Sequence, residues 1–169
     1  MRFKLRFPHL EIEKWAAQYS YASDAAIEDV IAPAARRQGY LTRDQFLTIA
    51  EWKTARSRSR CRKNDAGYVK EVTGAALRSK NERFKIEVLR LLDGVDWPTA
   101  SVILHFCDRG QYPIVDVRAL WSLGVTTPPA IDFPVWMEYT QFLRGVSADA
   151  GVSMRTLDRA LWQYSKVKG

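Results

Sequence analysis

Apolar residues recur along this chain at spacings of three and four almost from end to end, the period of an amphipathic helix. Ile12, Trp15, Ala16 and Tyr19 share one helical face. Ile27, Val30, Ile31 and Ala34 repeat the pattern, with Ser23 placed to cap the segment and Pro33 required to end or kink it. Thr42-Arg43-Asp44-Gln45 has the form of a capping box and opens a helix carrying Phe46, Ile49, Ala50 and Lys53. Two further helices follow, one with Tyr68, Val72 and Ala76, the next with Phe84, Val88, Leu91 and Leu92. After a tight turn comes the apolar run 101–107, then shorter helices over about 116–124, 132–147 and 153–165. The last two present Phe133, Trp136, Thr140 and Leu143, then Met154, Leu157, Leu161 and Tyr164. Only residues 1–7 and 111–115 read as extended, and no repeat of solenoid period occurs. The expected fold class is all-α.

Length and composition narrow this further. A chain of 169 residues fits a single compact domain, with one core or a core split into two helical lobes. Six tryptophans and 47% apolar residues suffice for a real core. Cys61 and Cys107 imply no disulfide framework, which points to a reducing compartment. With His9 and His105 they lack zinc-ligand spacing, and a four-cysteine iron–sulfur cluster is impossible within one chain. No stretch approaches a membrane span and residues 1–7 lack a signal peptide's apolar core, so a cytoplasmic location is expected.

The net charge of +7 is unevenly placed. Arg2, Lys4 and Arg6 make residues 1–7 an arm of charge +3. Arg56, Arg58, Arg60, Arg62 and Lys63 give the segment 56–63, read as a loop, a charge of +5. The rest of the chain therefore carries −1. Two basic patches on a nearly neutral body suit a polyanion partner, although a basic run can also be a solvated loop.

The stretch 91–104 joins an amphipathic helix to a buried one through a turn of about four residues. Gly94 can take the positive φ that a helix end and sharp turn require. Val95 would pin the turn between the helices, Asp96 is placed as N-cap, and Pro98 fits a first helical turn. Ala100 allows close packing. Such a helix start aims backbone N–H groups outward and can receive a phosphate, but it is equally the form of an ordinary helical corner.

At these residues the chain resembles a family. Leu92-x-Gly94-Val95-x-x-x-Thr99-Ala100, followed by Val115-Asp116-Val117-Arg118, is similar to the helix-hairpin-helix base-excision DNA glycosylases, the HhH-GPD superfamily that includes endonuclease III. Their hairpin has the pattern LPGVGxKTA, and a catalytic aspartate in a V-D context opens a later helix. The separation of position 98 from Asp116 agrees with the family's spacing, and the likeness covers residues 84–124.

The resemblance implies a two-lobed helical glycosylase fold with DNA as partner. The target nucleotide would be flipped from the duplex into a pocket between the lobes. Asp116 would assist cleavage of the N-glycosidic bond, or serve only as a helix cap. DNA would be held by Gly94, Val95, Asp96, Trp97, Thr99 and Ala100 of the hairpin, by Lys53, Arg56, Arg58, Arg60, Arg62 and Lys63, and by Arg118. Trp52, Tyr112 and Trp121 are candidates for stacking on a base, though aromatics at helical spacing are more often core. The family's hairpin also holds a monovalent cation on backbone carbonyls, here those of Arg90, Leu92 and Val95. No other metal, no redox or iron–sulfur cofactor and no protein partner is implied, and a monomer is expected.

Two departures qualify this. Bifunctional members carry a lysine where this chain has Pro98; without that amine no Schiff base forms by the family's route, so monofunctional base removal is expected. Asp93 and Asp96 replace the family's proline and second glycine, setting two carboxylates where a phosphate would sit. They leave open a catalytically inactive DNA-binding module on the same fold. A third reading is a protein–protein adaptor using the aromatic-rich helices 132–165, which a large exposed apolar patch would support.

Overall fold

A computed structural model describes residues 3–127 and 129–169; Met1 and Arg2, the first residues of the basic arm, lie outside the described residues. Every regular element among the described residues is helical, so the chain is all-α as its periodicity predicts. It divides into two compact units: Met1–Tyr21 with Gln111–Gly169, here unit 1, and Ala22–Gly110, unit 2. No described helix is long and apolar enough to cross a membrane. No group of three or more His, Cys, Asp or Glu that could hold a metal ion occurs among the described residues.

Unit 2 is built around α7 (Trp97–Cys107), in which every residue except Pro98 is buried. A helix apolar on all sides must sit at the centre of its neighbours. Here these are α2 (Ala32–Gln38), α3 (Arg43–Lys53), α6 (Glu82–Leu89) and a π-helical segment, Ala26–Ile31. The π turn answers the constraint set by Pro33. A proline inside a helix lacks an amide and clashes with the carbonyl four residues back. The helix widens over Ala26–Ile31 and resumes at Ala32, so Pro33 falls in a first turn, where it is tolerated. The segment ends at Gly39, with φ of 76°. The helical stretch begins at Asp24, so Ser23 stands where the cap was expected, but its hydroxyl makes no cap hydrogen bond. The Thr42–Gln45 capping box forms in full at the start of α3.

Of the segment 56–63, read as a loop, residues 56–61 are helical and only Arg62 and Lys63 form a turn. A 3-10 turn, Ala55–Ser57, leads into α4 (Arg58–Cys61), with the Thr54 hydroxyl accepting from the Arg56 amide at the start. Ser57, Cys61 and Asn64 are all buried, and their spacing of four and three is the helix period hidden within the run of charge. α5 (Ala66–Arg78) follows, capped by Asp65, and packs on α6.

In unit 1, α10 (Met154–Lys168) packs on α1 (Ile12–Ala17), α8 (Val117–Ser122) and α9 (Phe133–Ala150). Its core includes Trp136, Tyr139, Leu143, Leu157 and Leu161, each almost wholly buried. Burying each of the aliphatic residues among them contributes about 1.5–3 kcal/mol. Residues 111–116 run without helix, as expected. The arm is tied down through alternate amides, with Lys4 donating to the Leu123 carbonyl and Arg6 to that of Ser122.

Both cysteines are free and buried. Burial pushes the Cys107 thiol up to about 12, against the pull of the Arg36 guanidinium and with a push from Asp108. The thiolate is the nucleophile, and near pH 8 almost none exists at Cys107. The folded protein should therefore release no chromophore from a disulfide reagent over minutes at pH 8, and both thiols should react once it is denatured. Rapid modification of Cys107 in the native state would contradict this packing.

Candidate nucleic-acid interface

The hairpin begins where α6 tightens: the Arg90, Leu91 and Leu92 amides each donate three residues back, to Glu87, Val88 and Leu89. Gly94 then takes φ of +82° and the Val95 amide closes on the Leu92 carbonyl at 3.0 Å. That carbonyl, one of three considered for a monovalent ion, thus already serves the turn. Val95 is buried between the helices, and Thr99 and Ala100 are buried beneath the turn. Asp96 caps α7, its carboxylate accepting from the Trp97 amide at 2.8 Å. The same oxygen accepts from Arg90 Nε at 3.0 Å, and the Arg90 guanidinium lies 4.5 Å from the centroid of the buried Trp97 ring. Trp97 is therefore a platform for Arg90, and at the start of α7 a carboxylate stands where an anion would be received.

Asn64, buried in the same unit, ties this turn to the basic segment. Its amide nitrogen donates to the carbonyls of Cys61 (2.9 Å) and Asp93 (3.0 Å), and its oxygen accepts from the Asp93 amide at 2.9 Å. The approach is so close that a Cβ on Gly94 would stand 2.7 Å from Cys61 Sγ and 2.9 Å from the Cys61 nitrogen. Glycine is thus required twice over, by its φ and by the space. Around this junction Arg56, Arg58, Arg60, Arg62 and Lys63 are all exposed. Arg58 pairs with Glu51 at 3.0 Å. Arg43 extends the cluster by donating to the carbonyls of Asn64 (2.8 Å) and Arg62 (2.7 Å). Lys53 is half-buried in the last turn of α3. Trp52 donates its indole N–H to the buried Asp24 at 2.9 Å and meets Phe106 edge-on, so a structural role occupies it.

In unit 1, Asp116 is the N-cap of α8, its carboxylate accepting from the Arg118 amide at 2.8 Å. It is half-buried, between the buried Val115 and the exposed Val117 and Arg118. The segment leading to it is anchored by Tyr139, whose hydroxyl donates to the Ile114 carbonyl at 2.7 Å. Burial, with the Asp158 and Asp116 carboxylates adding, holds the Tyr139 phenol well above its usual range, so it stays a neutral donor. Tyr112 is buried and stacked on Trp136, which removes its ring from the surface. Trp121 is half-buried beneath the Arg6 guanidinium, 4.1 Å from its centroid, and Arg118 lies over Trp162.

Unit 2 thus holds the hairpin and the basic helix at one junction, and unit 1 holds Asp116, Arg118 and Trp121 on one short helix. Comparison with protein-family models, with curated proteins and with solved structures finds no match. Asn64, Arg43, Arg90 and Tyr139 were not foreseeable as parts of these clusters. Asn64 could be flagged only as a polar residue beside the charge run, and Arg43 not at all, since the Asp93 backbone and the Asn64 and Arg62 carbonyls that they meet are distant in sequence.

Asn64→Ala removes three hydrogen bonds and leaves the Asp93 amide without its partner. At about 1 kcal/mol for each bond, the loss is about 2–3 kcal/mol. Roughly 2–4 °C per kcal/mol applies at this size. Thermal unfolding followed by circular dichroism should show a drop of about 5–10 °C, and an unchanged transition would mean that the clamp contributes nothing.

Proposed function

We propose that this protein is a monofunctional DNA glycosylase of the helix-hairpin-helix type. Unit 2 holds the DNA backbone, and Asp116 of unit 1 assists hydrolytic release of a damaged or modified base. One observation carries the reading. The short helical segment that carries five exposed basic side chains is locked by Asn64 and Gly94 against a hairpin turn that resembles the one the glycosylases use on DNA. In the reaction, water oxygen bonds to the sugar's anomeric carbon as the C–N electron pair leaves with the base. A proton from the water ends on the departing base. The Asp116 carboxylate stabilises the cationic sugar on the way, or takes the water proton first. The flanking Val115 and Ala119 are buried, which limits solvent screening of that charge on one side. Two buried free thiols suit a reducing, cytoplasmic setting.

A second reading, a DNA-binding module without catalysis, is favoured by one feature: the hairpin carboxylate Asp96 and the candidate catalytic carboxylate Asp116 already serve helix starts, at α7 and α8. Asp116→Asn separates the two. Asparagine caps a helix about as well as aspartate, so the variant should fold. It lacks the negative charge, and loss of one well-placed electrostatic group costs about 100- to 1000-fold in rate. Base release from a substrate found in a panel of modified oligonucleotides should fall by that factor while binding persists. Wild-type turnover in the variant would reduce Asp116 to a cap, and a wild type inert on a broad panel would favour the module.

Pro98 supplies no amine at the position where bifunctional glycosylases attack the sugar. Borohydride should trap no covalent protein–DNA adduct, and strand breaks should appear only after alkali. A strong trapped adduct would sink the monofunctional assignment and direct attention to Lys53.

A further inference from the structure

Unit 1 gathers a basic surface that the sequence does not announce, because its members come from four separate segments. Trp162 and Lys166 lie one turn apart on α10, and Gly169 follows as its C-cap. Arg118 of α8 lies over Trp162, with its guanidinium carbon 5.2 Å from the ring centroid. The Lys166 ammonium lies 5.4 Å from the same ring and 5.2 Å from that of Tyr21, to whose hydroxyl it donates at 2.7 Å. Trp121, one turn on from Arg118, carries the Arg6 guanidinium at 4.1 Å and stands against the end of α10, 3.4 Å from where a Cβ of Gly169 would be.

Arg6, Arg118 and Lys166 are all exposed, and none has an acidic partner among the described residues. Nearby acids are engaged elsewhere. Asp158 pairs with Arg155 at 2.6 Å, Glu11 accepts the Trp15 indole N–H, and Asp116 caps α8. A ring orders a cation without neutralising it, so each charge is held in place yet remains available.

We propose that this strip is a second nucleic-acid contact, in which Arg6, Arg118 and Lys166 grip backbone phosphates and the rings behind them fix their positions. The proposal rests on the DNA-binding reading above. It adds to it a backbone contact on the unit that carries Asp116.

The test compares the salt dependence of binding to a duplex oligonucleotide in four proteins: wild type, Arg6→Gln/Arg118→Gln/Lys166→Gln, Arg56→Gln/Arg58→Gln/Arg60→Gln/Arg62→Gln, and a control of equal charge loss, Lys14→Gln/Lys70→Gln/Lys80→Gln. Each lost phosphate contact should lower the log–log slope by about 0.9. The strip variant should therefore lose up to about three such steps and the control none. If the triple variant does not fold by circular dichroism, Lys166→Gln alone should lose one step. A wild-type slope in the strip variant, with a reduced slope in the Arg56–Arg62 variant, overturns the strip and leaves the DNA-binding reading standing. An equal fall in the control overturns it as an effect of bulk charge. A wild type without salt-dependent binding overturns both.

Discussion

The geometry of unit 2 hangs on one buried amide. A helix hairpin leaves backbone groups without partners at the turn, and turn residues must reach either water or a donor and acceptor of the right spacing. Asn64 offers both from one side chain, closing on the Asp93 amide and carbonyl together. Because its nitrogen also holds the Cys61 carbonyl, the same side chain ends α4 and fixes the turn against it. Nothing larger than glycine fits at position 94 once that contact is made. The five basic side chains around α4 therefore have a rigid backing, whereas an untethered run of arginines would have to be ordered by its ligand.

Much of the helical layout was legible from apolar spacing. The capping box at Thr42, the positive φ at Gly94 and the cap at Asp96 each follow from local chemistry that acts over three or four residues. What escaped the sequence has a common cause. The π turn before Pro33 puts the proline in the first turn of the following helix, where it is tolerated, an outcome that apolar spacing does not contain. The basic segment reads as a loop because its charges mask Ser57, Cys61 and Asn64, and only burial discloses the period. Tyr112 and Trp52 carry rings suited to stacking on a base, but partners distant in sequence, Trp136 and Asp24, engage them within their own units.

The hairpin's two aspartates acquire different meanings in the structure. Asp93 takes part through its backbone, and its exposed side chain is incidental to the turn. Asp96 is part of a small closed circuit with Arg90 and Trp97. An exposed ion pair of this kind stabilises by at most about 1 kcal/mol, so its consequence is electrostatic rather than energetic. The carboxylate takes up the Trp97 amide and Pro98 has none to offer, which leaves the start of α7 poor in free donors. In any encounter with a phosphate chain the attraction in unit 2 must then come mainly from the side chains around α4.

The two units share a way of holding those side chains. Arg43 ends on two carbonyls, Arg118 lies over Trp162 and Arg6 over Trp121. A carboxylate would order an arginine more firmly, but would also cancel its charge. Carbonyl dipoles and ring faces order it and leave the full charge in place. A chain of net charge +7 built in this manner retains its field at its surface, and a field of that kind raises the local concentration and capture rate of a polyanion before any specific contact forms. On the proposed function, base recognition would be a separate, later matter of pocket shape, on which a field of this kind carries no information.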